Sequence, residues 1–361
     1  MDVKKIFLFV SIILSSHNFV FSQAPIYSNE FLSIGVGARA LAMSNSYITS
    51  VNDVTSGYWN PAGLLGIDTT HQVALMHSEY FAGIAKYDYG AFATRLDSTS
   101  VLAVTCIRFG VDDIPNTTEL IDANGNINYS NITTFSATDF AFLLSYAKKI
   151  KKIPNLRLGG SMKIIRRTVG DFAGAWGFGL DAGAQYDYKK WKFAAMARDI
   201  TSTFNAWSFN LSDDMKAVFA ATGNAIPTSS VEITLPKLIL GGARKFDFTK
   251  KISLLAEVNF DATFDGARNV LIKSKVVSVD PHMGIEGSYM NFIFLRAGIG
   301  NYQTYTDAYG KTIETVEPSI GIGIKIKSLT IDYALTDIGD QSVALYSNVF
   351  SLKVDINRKR K

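Results

Sequence analysis

Few side chains in this 361-residue chain are of types that carry out covalent chemistry, and their spacing does not assemble them. Cys106 is the single cysteine, which rules out an internal disulfide and a cysteine-based metal or redox site. His17, His71, His77 and His282 are scattered rather than set at ligand spacing, and no nucleophile stands beside a base. Gly35-Val36-Gly37-Ala38-Arg39-Ala40 formally satisfies a dinucleotide-binding pattern, with Asp53 near the place of its acid. That pattern works only between a strand and a helix in a run of βαβ units. Strands of antiparallel character follow it here, so the small residues are read as close packing. No cofactor and no enzymatic activity are expected.

What remains are charges and aromatics in regular places. Arg157, Lys163, Arg167, Asp181, Asp187, Lys192, Glu257, Asn259, Glu286, Arg296, Lys325 and Asp332 fall on one parity of extended segments. They would line a polar permeation path or a protein-docking lumen, or else pair with one another, because unpaired charges in a low-dielectric interior are costly. The stretch 200–235 holds Phe204, Trp207 and Phe209, more apolar than a solvated loop should be. Such anchors would grip a partner, line a ligand entrance or pack over a rim, with a short helix expected near 213–221. Cys106 shares its parity with Arg108 and is expected to face the same interior.

The elements that would position these groups are strands. Trp176, Phe178, Leu180, Ala182, Ala184, Tyr186 and Tyr188 alternate with Gly177, Gly179, Asp181, Gly183, Gln185 and Asp187. Period-two alternation puts the apolar set on one face of an extended chain. The pattern recurs, and spans near 71–79, 86–96, 100–109, 138–148, 156–167, 175–187, 190–199, 236–246, 251–261, 281–289, 292–301, 317–326, 328–337 and 344–356 make about fourteen strands. About ten residues each is the length a tilted strand needs to cross a hydrocarbon layer. Connections after even-numbered strands are short, whereas 110–137, 200–235, 262–280 and 302–316 are long. That asymmetry belongs to outer-membrane barrels, with short periplasmic turns, long outer loops and both termini periplasmic. The fold class expected is therefore all-β, a transmembrane antiparallel barrel over 71–356, apolar outside and polar within.

The chain's beginning fits that route. Lys4 and Lys5 precede the apolar run 6–14, and Val20 and Ser22 stand at small-residue cleavage positions, so 1–22 reads as a signal peptide. After it no stretch approaches the ~18 apolar residues of a membrane helix. The formal charge of +4 falls to +3 when Asp2, Lys4 and Lys5 leave, too little to suggest nucleic acid as a partner. Residues 357–361 form a basic tail. Between signal and barrel, 23–70 reads as an inserted hatch or plug: Asn60-Pro61 starts a turn, Gly63 permits a positive φ, and Trp59 and Leu64 anchor it by burial.

Residues 31–43 (Phe31-Leu32-Ser33-Ile34-Gly35-Val36-Gly37-Ala38-Arg39-Ala40-Leu41-Ala42-Met43), Asp53 and Trp59-Asn60-Pro61-Ala62-Gly63-Leu64 together resemble the N-terminal signature of the PorV/PorQ family. That family is similar to the FadL fatty-acid transporters, in which an Asn-Pro-Ala-type motif lies in a hatch within a fourteen-stranded barrel. The resemblance implies an accessory of type IX protein secretion and surface attachment in Bacteroidota, with secretion proteins or exported cargo as partners. Its alternative is a FadL-like channel for hydrophobic small molecules. Ser44 replaces the usual glycine after Met43, and Gly35–Arg39 departs from the Pro-Asp-Ala-Arg of PorV itself, so the resemblance extends to the broad family.

Overall fold

The structure, a computed structural model, describes residues 28–118, 120, 126–307, 309–338 and 346–357. The expected signal peptide and residues 358–361 of the basic tail lie outside the described residues. The strands are β1 (His71–Tyr80), β2 (Ala85–Arg95), β3 (Ser100–Asn116), β4 (Thr133–Lys149), β5 (Leu156–Val169), β6 (Ala173–Tyr188), β7 (Trp191–Arg198), β8 (Thr203–Phe209), β9 (Ser230–Thr234), β10 (Lys237–Asp247), β11 (Ile252–Thr263), β12 (Ser278–Tyr289), β13 (Ile293–Thr306), β14 (Thr312–Ile326), β15 (Leu329–Thr336) and β16 (Ser347–Ile356).

They form a closed antiparallel barrel of fourteen members. Each pairs with the next around the ring, β7 with β10, and β16 returns to β1 with His71 opposite Ile356. The segments β8 and β9 add no members. β8 carries β7 onward along β6, and β9 carries β10 onward along β8. Between them three residues of β6 (179–181) lie opposite six (198–203), a bulge with left-handed backbone at Asp199 and Ser202. The facing break is Leu235-Pro236, where proline withholds a ladder donor. Both interruptions fall at one height of the wall.

Side-chain alternation is inverted relative to a soluble sandwich. On β6, Trp176 is 59% exposed and Leu180 36%, whereas Asp181 is 7% exposed and Gln185 2%. Leu75, Phe92, Phe142, Phe260, Leu295 and Phe350 are likewise exposed, an apolar belt far beyond what a water-soluble monomer shows. Among the described residues no helix is long and apolar enough to cross a membrane. Short turns such as Lys189-Lys190 and Met290-Phe292 collect at one rim, where β1 begins and β16 ends.

The opposite rim departs from expectation. The stretches 110–137 and 302–316 hold more strand than expected, because β3 runs to Asn116, β4 starts at Thr133, and β13 and β14 reach Thr306 and Thr312. Ladder pairing continues past the apolar belt even where the side chains turn polar. The helix Asp213–Ala221 lies where it was expected, capped by Ser212.

Residues 28–67 fill the ring. Val36, Ala38, Tyr47, Ile48 and Leu64 are almost fully buried there, in a hydrophobic core that includes Tyr87, Ile107 and Ile165 of the wall. Short turns build the segment: Ala38–Leu41 and Ser56–Trp59 are single helical turns, and Pro61–Gly66 is a 3-10 turn.

Candidate functional site

The Trp59–Leu64 motif is wedged against the inner wall. Asn60 accepts from the Ala62 amide at 3.2 Å, capping the turn that Pro61 begins, and donates to the carbonyls of Ile48 and Ala184, each at 3.2 Å. A Cβ at Gly183 would collide with the Asn60 amide, and one at Gly159 with the Pro61 backbone. Lumenal glycine therefore makes room for the motif. The Trp59 indole donates to the Val36 carbonyl at 2.8 Å and lies against Gly35, whose φ of +101° suits glycine alone. Gly37 donates from its amide to the Met76 sulfur, and Ala62, Gly63 and Leu64 are buried.

Charges tie the segment to the wall at several points. Arg39 makes a bidentate pair with Glu286, 2.7 Å at each contact, and Arg296 joins Glu286 at 2.6 Å and Asp332 at 2.7 Å. Glu257 accepts the amides of Thr49 at 2.7 Å and Ser50 at 3.0 Å. Burial alone would raise the Asp53 carboxyl, but the Lys353 ammonium 2.7 Å away, the Thr55 hydroxyl and Arg39 bring it down to about 2. A second cluster joins wall to wall. Lys163 contacts Asp181 at 2.9 Å and Asp199 at 2.5 Å, so the bulge is pinned by a buried cation.

Cavities flank the segment. One of about 780 Å³ lies beside the interruption, lined by Tyr58, Lys163, Arg198, Asp199, Ile233 and Pro236 among others. It adjoins another of about 870 Å³ toward the loop-side rim, the two sharing Glu30, Ser33, Lys237 and Arg268. A third, about 540 Å³, opens at the short-turn rim between Asp53, Lys192, Lys245 and Lys325. In the first, the Arg198 guanidinium stacks 4.5 Å from the Tyr58 ring and 5.6 Å from that of Trp59. Among the described residues no group of three metal-binding side chains is assembled. The lining suits binding and passage by shape, charge and apolar contact.

The structure places Asp181, Lys163, Glu257, Arg296 and Asp332 as buried lumenal groups, with Arg39 half-buried beside them. Asp187 and Lys325 share that face but sit at the short-turn rim, Asp187 paired with Arg157 and Lys192, and Lys325 with Asp355. The aromatic trio is not one loop patch. Phe204, Trp207 and Phe209 belong to β8, whose alternation turns Phe204 outward and the other two inward. Trp207 stacks on Arg167 at 5.1 Å and with Phe209 at 6.3 Å. Cys106 also differs from expectation: Thr105 and Ile107 are fully buried on the inner face, so Cys106 and Arg108 turn outward.

Several anchoring residues escaped the sequence reading. Gln185 donates to the carbonyls of Ile48, Thr49 and Val51. Gln72 accepts the Val54 amide at 2.6 Å. Arg198 shares the inward parity of Lys192, the one signal that could have marked it.

No family model and no curated protein matches the chain, but solved structures do. The monoaromatic hydrocarbon channel CymD superposes with a TM-score of 0.56 at 11% identity, covering 91% of this chain and 99% of that one. The toluene transporter TbuX of Ralstonia pickettii gives 0.53 at 13% identity, covering 90% and 99%. A FadL homologue of Pseudomonas aeruginosa gives 0.52 at 13%, covering 88% and 98%. The likeness is one of fold.

Proposed function

We propose that this protein is an outer-membrane channel for hydrophobic small molecules, without catalytic activity, its short-turn rim and both chain termini facing the periplasm. The observation that carries this reading is the cavity of about 780 Å³ beside the interrupted wall, held between an inserted N-terminal segment and an apolar outer belt. An apolar solute descending from the loop side would meet Tyr58, Ile233 and Leu235 there. The interruption at Asp199–Ser202 lets such a solute leave through the wall toward lipid, while the segment acts as the hatch. The named functions of CymD and TbuX support a hydrophobic solute. Cells lacking their own channel and expressing this protein should take up labelled toluene or oleate several-fold faster than cells without it; equal rates for both probes would overturn the reading.

The PorV/PorQ-like role in type IX secretion is the second reading. It is favoured by the loop-side rim, where Tyr309, Val276 and Tyr129 are 96%, 73% and 72% exposed and could meet exported cargo or a secretion protein. Loss of a co-purifying translocon subunit on changing all three to serine would support it.

A further inference from the structure

The outer wall holds an arginine that no carboxylate among the described residues holds in turn. Arg244 of β10 lies opposite Trp191 of β7, with its guanidinium 4.9 Å from the Trp191 ring centroid and 4.9 Å from that of Phe246. Ile239 and Ala243 are buried on the inner face of β10, so Arg244 shares the outer face with Leu240 and Phe246. Its Nε is shielded between the rings and has no hydrogen-bond partner among the described residues. A contrast stands near the other rim. Arg166 stacks over Trp176 at 5.1 Å, but its Nη1 is satisfied by the Ala175 carbonyl at 3.3 Å.

The surroundings of Arg244 are basic and aromatic. The turn between Tyr188 and Trp191 is Lys189-Lys190, and the turn before Ile252 carries Phe248, Lys250 and Lys251. The nearby acids are occupied, Asp187 by Arg157 and Lys192, and Asp247 by Lys245. Toward mid-wall the surface continues as exposed Phe193, Leu240 and Val258. A cation clamped by rings at the edge of an apolar belt suits an anionic group joined to acyl chains. The rings hold the guanidinium plane, its donors reach paired oxygens, and the chains lie on the belt.

We propose that Arg244, Trp191 and Phe246 form a binding site for the phosphate of a phospholipid at the short-turn rim, with Lys190 adding charge beside it. The site rests on the reading of the wall as membrane-facing and is independent of what passes the lumen. Free phosphate would satisfy the guanidinium alone; a lipid would also cover Phe193 and Leu240.

The test is native mass spectrometry of the purified full chain in detergent with phosphatidylglycerol, with diacylglycerol of the same chains, and with inorganic phosphate. Wild-type protein should retain phosphatidylglycerol and release diacylglycerol. R244A should retain about fivefold less, the effect of one basic group beside a lipid phosphate. R244K should fall between, because charge remains while the planar fork is lost, and K216A should match wild type. If R244A does not give a heat-modifiable barrel, R244K and W191L decide. Equal retention by wild type and the Arg244 variants, or equal retention of diacylglycerol, would overturn the site. Displacement of the lipid by millimolar phosphate would reduce it to an anion site. A barrel that fails to show the heat shift at all would sink the membrane reading instead.

Discussion

Two buried charge clusters inside the barrel use the same chemistry for different ends. Arg39, Glu286, Arg296 and Asp332 run from the inserted segment into β12, β13 and β15. Lys163, Asp181 and Asp199 run from β5 through β6 into the bulge and pair with one another rather than with the segment. Both place ions where water is scarce, so each is worth most through what its loss would leave unpaired. The first cluster ties the N-terminal segment to the wall. The second braces the bulge in the wall around it. Burial of charge thus says little about role until the element on each side of the pair is known.

The comparison breaks most widely if the segment itself is removed. Deleting residues 28–66 should leave a membrane-inserted, heat-modifiable barrel with a large rise in ion conductance across planar bilayers, because the lumen loses its filling. Unchanged conductance would place the segment outside the ion path. Next come single changes in each cluster. Glu286→Ala strands Arg39, while Arg296 keeps Asp332, and should cost about 3–5 kcal/mol of the segment's hold, read as conductance bursts and as protease cleavage within 28–67. Lys163→Met strands Asp181 and Asp199 at a similar cost. It should lower the thermal midpoint while leaving the closed conductance level alone. If both variants raise conductance alike, the distinction between the clusters fails.

Acid gives a smaller effect on the first side only. Asp53 is held at about 2 by Lys353, Thr55 and Arg39 against the pull of burial. Because that lies below the unfolded value of about 3.9, the carboxylate stabilises the folded segment fully above about pH 4. The contribution, about 2–3 kcal/mol, vanishes as pH falls from about 4 to about 2. Conductance should rise across that window in wild type, and D53N should show the higher level at neutral pH with a flatter profile. The smallest effect belongs to Phe204, which faces outward on β8. F204S should shift the thermal midpoint by the equivalent of about 1 kcal/mol or less and leave closed conductance alone, whereas W207S, on the inner face, should loosen the Arg167 stack and cost more.

Local periodicity was enough for much of the wall. The run from Trp176 to Tyr188 alternates so regularly that strand, facing and inverted polarity all follow from one side-chain period, and the ring has the fourteen members the spans imply. The helix at Asp213–Ala221 was equally local, set by its serine cap and spacing. Cys106 shows where such reasoning stops. Thr105 and Ile107 on one parity and Cys106 and Arg108 on the other are both mixed, so only closure of the ring decided which pair faces in. The stretch 203–209 reads from sequence as part of the long connection 200–235. Pairing with β6 made it wall. The partners of Arg39, Asp53 and Lys163 lie further still from local pattern. Glu286 is 247 residues from Arg39 and Lys353 is 300 from Asp53. The sequence determined by itself which residues alternate, because side chains on a strand obey a period of two wherever the strand goes. Which charges meet was decided only by tertiary structure, since that depends on the diameter of the closed ring and the path of the segment through it.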